Sequence, residues 1–170
     1  MDLREYIRDV PDFPRSGILF KDITPLLSCP AALRHAIDQM GEKCAALNPD
    51  TIVCVEARGF LFAAPIAYQL GIPLVPVRKK GKLPYETNSV TYDLEYGTDT
   101  VEVHVDAISE GQRVVIVDDL LATGGTMAAS AKLVEQTGGK IAALTVLIEL
   151  CELKGRARLD GYDLISLIEY

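Results

Sequence analysis

Four things are scarce in this sequence, and each scarcity excludes a class of function. No apolar run reaches the roughly 18–20 residues that a membrane-spanning helix needs, so no membrane partner is expected. Basic residues are outnumbered, 17 Lys and Arg against 24 Asp and Glu, giving a net charge of −7. A broad basic surface for a phosphate backbone is therefore missing, and no nucleic-acid partner is expected. The four cysteines (Cys29, Cys44, Cys54, Cys151) show no CxxC or other metal-ligand spacing, and three sit in apolar stretches. They read as reduced core residues of a cytoplasmic protein rather than as redox or metal groups. Histidine is limited to His35 and His104, one in a helical stretch and one on the polar side of a strand, and both read as structural. The opening MDLREYIRDVPDFP mixes charges of both signs with prolines and is not expected to act as a secretory signal.

What remains is rich in apolar residues. With 170 residues and 49% hydrophobic composition, the chain can build one domain around a real core. The pattern alternates strand and helix signals. Leu33, Ile37, Met40, Cys44 and Leu47 recur at helical spacing within 31–47, with Ala36 on the same face and Pro30 at the first turn. TIVCV (51–55) and LVPV (74–77) are short continuous runs suited to strands buried on both faces. A helix is expected from Gly59 to Leu70, ended by Gly71 and Pro73. Val101, Val103 and Val105 alternate with Glu102, His104 and Asp106, which predicts a half-exposed strand. Arg113–Val117 and Ile141–Ile148 read as buried strands on either side of a helix over 126–137. Strands separated by helices of this length imply an α/β fold with a mostly parallel central sheet flanked by helices.

In such sheets, ligands bind beyond the carboxyl ends of the strands. Three ends carry chemistry. TIVCV runs into Glu56-Ala57-Arg58-Gly59, LVPV into Arg78-Lys79-Lys80-Gly81-Lys82, and VVIV into Asp118-Asp119. After the aspartates comes Ala122-Thr123-Gly124-Gly125-Thr126, followed by a helix. Glycines let several N–H groups converge, and a helix N-terminus adds partial positive charge, so the loop suits a monophosphate. It is neither a Walker A loop nor GxGxxG. On its own it is equally a plain strand–turn–helix connection. The aspartates tilt the reading, because two carboxylates repel a phosphate but accept hydrogen bonds from a vicinal diol. A ribose 5-phosphate offers both features.

VVIVDDLLATGGT resembles the phosphoribosyl-pyrophosphate (PRPP) motif of the type I phosphoribosyltransferases. The resemblance runs along essentially the whole chain, through DFPRSGILFKDITPLL, EARGFLF, VRKKGKLP, YDLEYG and ELKGR, and is nearest to members that use adenine. It implies the type I phosphoribosyltransferase fold for a single domain over 1–170, with a small N-terminal hood near 1–30 joined by the C-terminal segment, and a flexible catalytic loop over about 81–97. It implies that Asp118 and Asp119 bind the ribose 2- and 3-hydroxyls and that Ala122, Thr123, Gly124, Gly125 and Thr126 hold the 5-phosphate.

Arg58, with a cis peptide just before it, would contact pyrophosphate; on the residues alone it could instead pair with Glu56. Arg78, Lys79 and Lys82 would gather charge for PRPP, although such a run is also an ordinary solvated turn. Glu95 and Tyr96 would serve the attacking purine, where spacing alone makes Glu95 a surface residue. Phe20 would stack on the base, with Leu19 and Lys21 at its hydrogen-bonding edge and Leu150 on the other side; Phe20 is otherwise a staple or core residue. Relatives that take 6-oxopurines usually carry an aspartate where this chain has Ala122 and often a lysine where it has Gly125. Ala63 replaces a glycine common in the family.

The resemblance further implies a homodimer and magnesium held mainly by substrate pyrophosphate and water, with no dedicated protein metal site. Two alternatives stay open: a PRPP-binding regulator, for which an added DNA-binding domain is not expected here, and a relative using another base such as xanthine.

Overall fold

The computed structural model describes residues 1–94 and 97–170. Its backbone divides into two compact units, Met1–Gln39 and Met40–Tyr170.

In the first unit, a short 3-10 turn (Leu3–Tyr6) precedes an antiparallel hairpin of β1 (Arg8–Pro11) and β2 (Leu19–Asp22), in which Val10 pairs with Phe20. The Phe13–Pro14 bond in its loop is cis. Helix α1 (Thr24–Ser28) carries Pro25 in its first turn, where a missing N–H costs no hydrogen bond. Helix α2 (Pro30–Ala45) begins in this unit and ends in the second. Its buried stripe is Ala32, Ala36, Met40 and Cys44, while Leu33 and Ile37 are half-buried. The expected face is therefore rotated toward the small residues.

The second unit holds a seven-stranded sheet among the described residues, ordered β5-β6-β4-β3-β7-β8-β9. The strands are β3 (Thr51–Val55), β4 (Leu74–Lys79), β5 (Thr87–Asp93), β6 (Thr98–His104), β7 (Arg113–Leu121), β8 (Lys140–Glu149) and β9 (Leu164–Glu169). β4, β3, β7, β8 and β9 run parallel, while β6 pairs antiparallel with both β4 and the edge strand β5. Val53 lies opposite Val75 on one side and Ile116 on the other. Successive residues of a strand face opposite sides. Val53 and Val55 pack in one cluster with Met127, Ala131 and Val134 of α4 (Gly125–Gln136), whereas Ile52 and Cys54 are equally buried on the other face. Helix α3 (Phe60–Leu70) contributes buried Phe62, Ala63 and Ile66.

Three expectations need correction. β7 does not stop at Val117: its ladder with β8 continues to Leu121 opposite Glu149, so both aspartates lie within a strand. β6 is not half-exposed either. Glu102 is buried, because its Oε2 accepts a hydrogen bond at 2.9 Å from the Gly81 N–H of the β4–β5 connection, while Val105, past the strand end, is exposed. The segment read as a loop over 81–97 contains β5, an edge strand paired with β6 along its length.

Candidate active site

The carboxyl ends of β3, β4 and β7 meet in a cleft of about 260 Å³ in the second unit. Glu56, Arg58, Lys79, Asp118, Asp119 and the whole 122–126 loop line it. The three chemically loaded strand ends read from the sequence thus converge.

Glycines make the floor possible. A Cβ at Gly59 would lie 2.8 Å from Asp118 Oδ1 and 2.6 Å from the Val55 carbonyl, so the start of α3 can sit against the β7 aspartate only without a side chain. Gly124 takes φ +83°, the left-handed conformation that favours glycine, as the residue before α4. Gly124 has no side chain with which to cap α4, and the first residues of the helix line the cleft. Such an end attracts an anion through both its donors and its dipole. The loop is buttressed from behind: a Cβ on Gly124 would meet the Gly155 carbonyl at 2.6 Å, and one on Gly155 would meet the Ala122 carbonyl at 2.2 Å.

The aspartates differ in their partners. Asp119, 4% exposed, forms an ion pair with Arg58 Nε at 2.8 Å, and its own N–H donates to Asp118 Oδ1 at 2.8 Å. Burial raises the Asp118 carboxyl well above the ordinary carboxylate range, and the Asp119 charge adds to that. Burial also raises Asp119, against the pull of Arg58 and of donated hydrogen bonds. The pocket therefore holds two acidic groups that gain from hydroxyl donors.

The alternative of an Arg58–Glu56 pair is displaced by these geometries. Glu56 is held instead by Lys82, by Arg78 Nε at 3.3 Å and by the Lys79 N–H at 2.9 Å. Burial works to raise the Glu56 carboxyl, but the Lys82 hydrogen bond and these other partners outweigh it and hold it below the usual range. Within the basic run, Lys79 lines the cleft, while Arg78 and Lys82 turn to Glu56. The cis peptide lies between Glu56 and Ala57, one bond earlier than the expected Ala57–Arg58.

Lys79 reaches Asp99 Oδ2 and Tyr92 OH, and Tyr92 OH lies 3.0 Å from Thr126 Oγ1. Tyr92 and Asp99 were not singled out in the sequence. Their contacts join residues 7 to 34 positions apart, which no local pattern encodes.

The base-site candidates lie apart in the chain. In the first unit, Leu19 is exposed, Phe20 is half-buried with its ring 5.1 Å edge-on to Phe13, and buried Lys21 pairs with Asp9 at 2.6 Å. In the second, Leu150 is half-buried, and its N–H donates to the Leu121 carbonyl at 2.9 Å. Glu95 and Tyr96 lie outside the described residues. His104 carries a buried Nε2 with no hydrogen-bond partner among the described residues, and its ring stands 6.0 Å edge-on to Tyr85. Among the described residues, no helix is long and apolar enough to cross a membrane.

Residues 22–167 match the family described as a phosphoribosyl transferase domain. The adenine phosphoribosyltransferase of Carboxydothermus hydrogenoformans is 55% identical over 170 residues, covering all of both chains. The crystal structure of adenine phosphoribosyltransferase from Thermoanaerobacter pseudethanolicus superposes with a TM-score of 0.96 at 57% identity, over 99% of this chain and 98% of that one. The Saccharomyces cerevisiae enzyme, solved with an imino-altritol bisphosphate and adenine, gives a TM-score of 0.91 at 41% identity, over 97% and 96%.

Proposed function

The chain belongs to the phosphoribosyl transferase family, among its adenine phosphoribosyltransferases, and from that premise we infer how its own residues divide the work. The reaction moves the 5-phosphoribosyl group of PRPP to N9 of adenine, giving AMP and pyrophosphate, a purine-salvage step. One observation carries the site reading: the uncapped start of α4 and the Asp118–Asp119 pair line the same cleft. An anion holder beside a diol acceptor suits a ribose 5-phosphate. Residues 122–126 take the 5-phosphate through backbone N–H groups and threonine hydroxyls, and the two carboxylates accept hydrogen bonds from the ribose 2- and 3-hydroxyls.

Arg58 and Lys79, both on the cleft wall, face the pyrophosphate. Arg78 and Lys82 join them by exchanging Glu56 for the incoming anion. Departure of pyrophosphate from C1 leaves an oxocarbenium-like ribose. The new bond forms between C1 and adenine N9, the C1–O bond to pyrophosphate breaks, and the N9 proton is lost. Glu95 and Tyr96 assist the purine, and closure of the 81–97 segment keeps water from the activated sugar. Phe20 stacks on the base, with Leu19 and Lys21 backbone atoms at its edge and Leu150 opposite. Ala122, lacking a carboxylate, favours adenine over 6-oxopurines.

Magnesium is the proposed cofactor. Its oxygen ligands would come mainly from the substrate pyrophosphate and water, since among the described residues no cluster of three or more His, Cys, Asp or Glu is arranged to hold a metal. Bound so, it would neutralise pyrophosphate charge. We also propose a homodimer working in the cytoplasm. Leu61 and Tyr68, seven residues apart on one face of α3, are 46% and 87% exposed, an apolar stripe that a second copy could cover.

The test is a product assay. Protein, magnesium and PRPP are mixed separately with adenine, hypoxanthine, guanine and xanthine. AMP alone is expected. Product only from a 6-oxopurine would overturn the assignment of Ala122 and Phe20, and PRPP binding without any nucleotide would make the protein a PRPP-sensing regulator.

A further inference from the structure

Tyr92 stands on β5, yet its side chain belongs to the cleft. A Cβ on Gly125 would meet Tyr92 Cδ2 at 3.2 Å, so the ring lies directly on the phosphate loop. The hydroxyl touches three groups: Thr126 Oγ1 at 3.0 Å, Asp99 Oδ2 at 3.3 Å and Lys79 Nζ at 3.4 Å. Lys79 also pairs with Asp99, and its ammonium stands 6.0 Å from the centre of the Tyr92 ring.

The chemistry of the three partners settles the hydrogen-bond directions. Ionised Asp99 only accepts and Lys79 only donates. A phenol has one proton and two lone pairs. It therefore donates to Asp99 and accepts from Lys79, and the remaining lone pair takes the Thr126 proton. The hydroxyl is used to capacity. Its partners come from β4, β6 and the first turn of α4, so one atom fixes the spacing of three elements. Two of these partners, Thr126 and Lys79, are assigned above to opposite ends of PRPP.

We propose that Tyr92 is a positioning residue that couples the 5-phosphate loop to the pyrophosphate-side lysine through its single hydroxyl. This rests on the PRPP reading of the cleft. A substrate with a charged group at each end requires two anion holders at a set separation, and the phenol supplies that set point without touching the sugar. When the 5-phosphate arrives, the Thr126 proton turns to it. The phenol proton then turns from Asp99 to Thr126 Oγ1, so occupancy at one end rearranges the bonds that hold Lys79 at the other.

The test is Tyr92→Phe, which keeps the ring on Gly125 and removes only the hydroxyl. PRPP, ribose 5-phosphate and magnesium pyrophosphate are titrated into the wild-type protein and the variant by calorimetry. The affinities for both half-ligands should fall, each by about fivefold, the scale of one ordinary hydrogen bond. The adenine affinity should stay put while the unfolding midpoint falls modestly with the lost hydrogen bonds, whereas a merely structural role would weaken adenine and PRPP alike. A second comparison uses Thr126→Val. Its effect on pyrophosphate, a ligand of the far end, should be a loss in the wild-type background and vanish in the Tyr92→Phe background. Loss for one half-ligand only, unchanged affinities, or an equal pyrophosphate loss in both backgrounds would overturn the coupling while leaving the activity intact. Failure of the wild-type protein to bind PRPP would instead overturn the reading of the cleft, and the coupling with it.

Discussion

Asp118 and Asp119 carry opposite pH signatures for stability and for binding. Both carboxyls titrate near 3.9 in an unfolded chain, and burial raises both in the native state, with the Asp119 charge adding to the rise at Asp118 and Arg58 opposing it at Asp119. Between the unfolded and folded values, the native protein holds more protons than the unfolded chain. The pair therefore favours folding at the acid end of that window, and the contribution is lost as pH rises through the folded values. Binding runs the other way, because a carboxylate must be ionised to accept from both ribose hydroxyls. PRPP affinity should fall as pH drops through the same window, read by calorimetry over a pH series, and the slope should flatten in Asp119→Asn. That variant should also weaken PRPP more than adenine; equal loss of the two would make Asp119 purely structural. Glu95→Gln should leave PRPP binding nearly intact and lower turnover, and unchanged turnover at saturating substrate would remove Glu95 from the chemistry.

Between elements, the tightest joint is backbone on backbone. Gly155, in the 3-10 turn Gly155–Leu159, approaches the Ala122 carbonyl so closely that a methyl group has no place to go. Gly155→Ala should cost about 1–3 kcal/mol, the usual range for overpacking, and weaken ribose 5-phosphate binding as the loop shifts; thermal unfolding and calorimetry read the two. The same turn is tied to the sheet by Arg156, whose Nε and Nη2 donate to Glu149 at 2.9 and 2.5 Å. The Arg156 bonds, against the effect of burial, hold the Glu149 carboxyl below the ordinary range. That stability is present above the unfolded carboxylate value and is lost as pH falls through the folded one. Arg156→Ala should flatten this acid-side loss in a pH series of unfolding midpoints.

The parallel core strands were legible in the sequence because each is a short unbroken apolar run, and the phosphate loop because its glycines follow one of them. β5, β9 and the extension of β7 were not. Tyr92 and Asp118 are polar residues whose strand state comes from a neighbouring ladder rather than from an apolar pattern, whereas β9 is largely apolar (LISLIE) and went unread. Glu102 and Arg156 were illegible for a related reason, since their partners Gly81 and Glu149 lie 21 and 7 positions away and are met only after folding.

At the scale of the molecule, an excess of seven negative charges surrounds a cleft meant for a polyanion. Local cations must therefore do what the overall field opposes, and PRPP association should speed up with added salt at low ionic strength, as screening weakens the general repulsion. Stopped-flow association rates over a salt series would show it; slowing throughout would mean that Arg58 and Lys79 dominate the approach. Tyr68→Glu on α3 should convert the proposed dimer to monomer, read by light scattering.

The four thiols form a graded set. Cys151 is exposed, Cys29 half-buried, and Cys44 and Cys54 fully enclosed, with burial pushing their thiols up to about 11 and about 12. Because only a thiolate attacks an alkylating or disulfide reagent readily, the native protein should give one fast modification and one slower one, followed by two that wait for the sheet to open. The last two sit on α2 and on central strand β3, so their labelling clock would time unfolding of the core without any introduced probe.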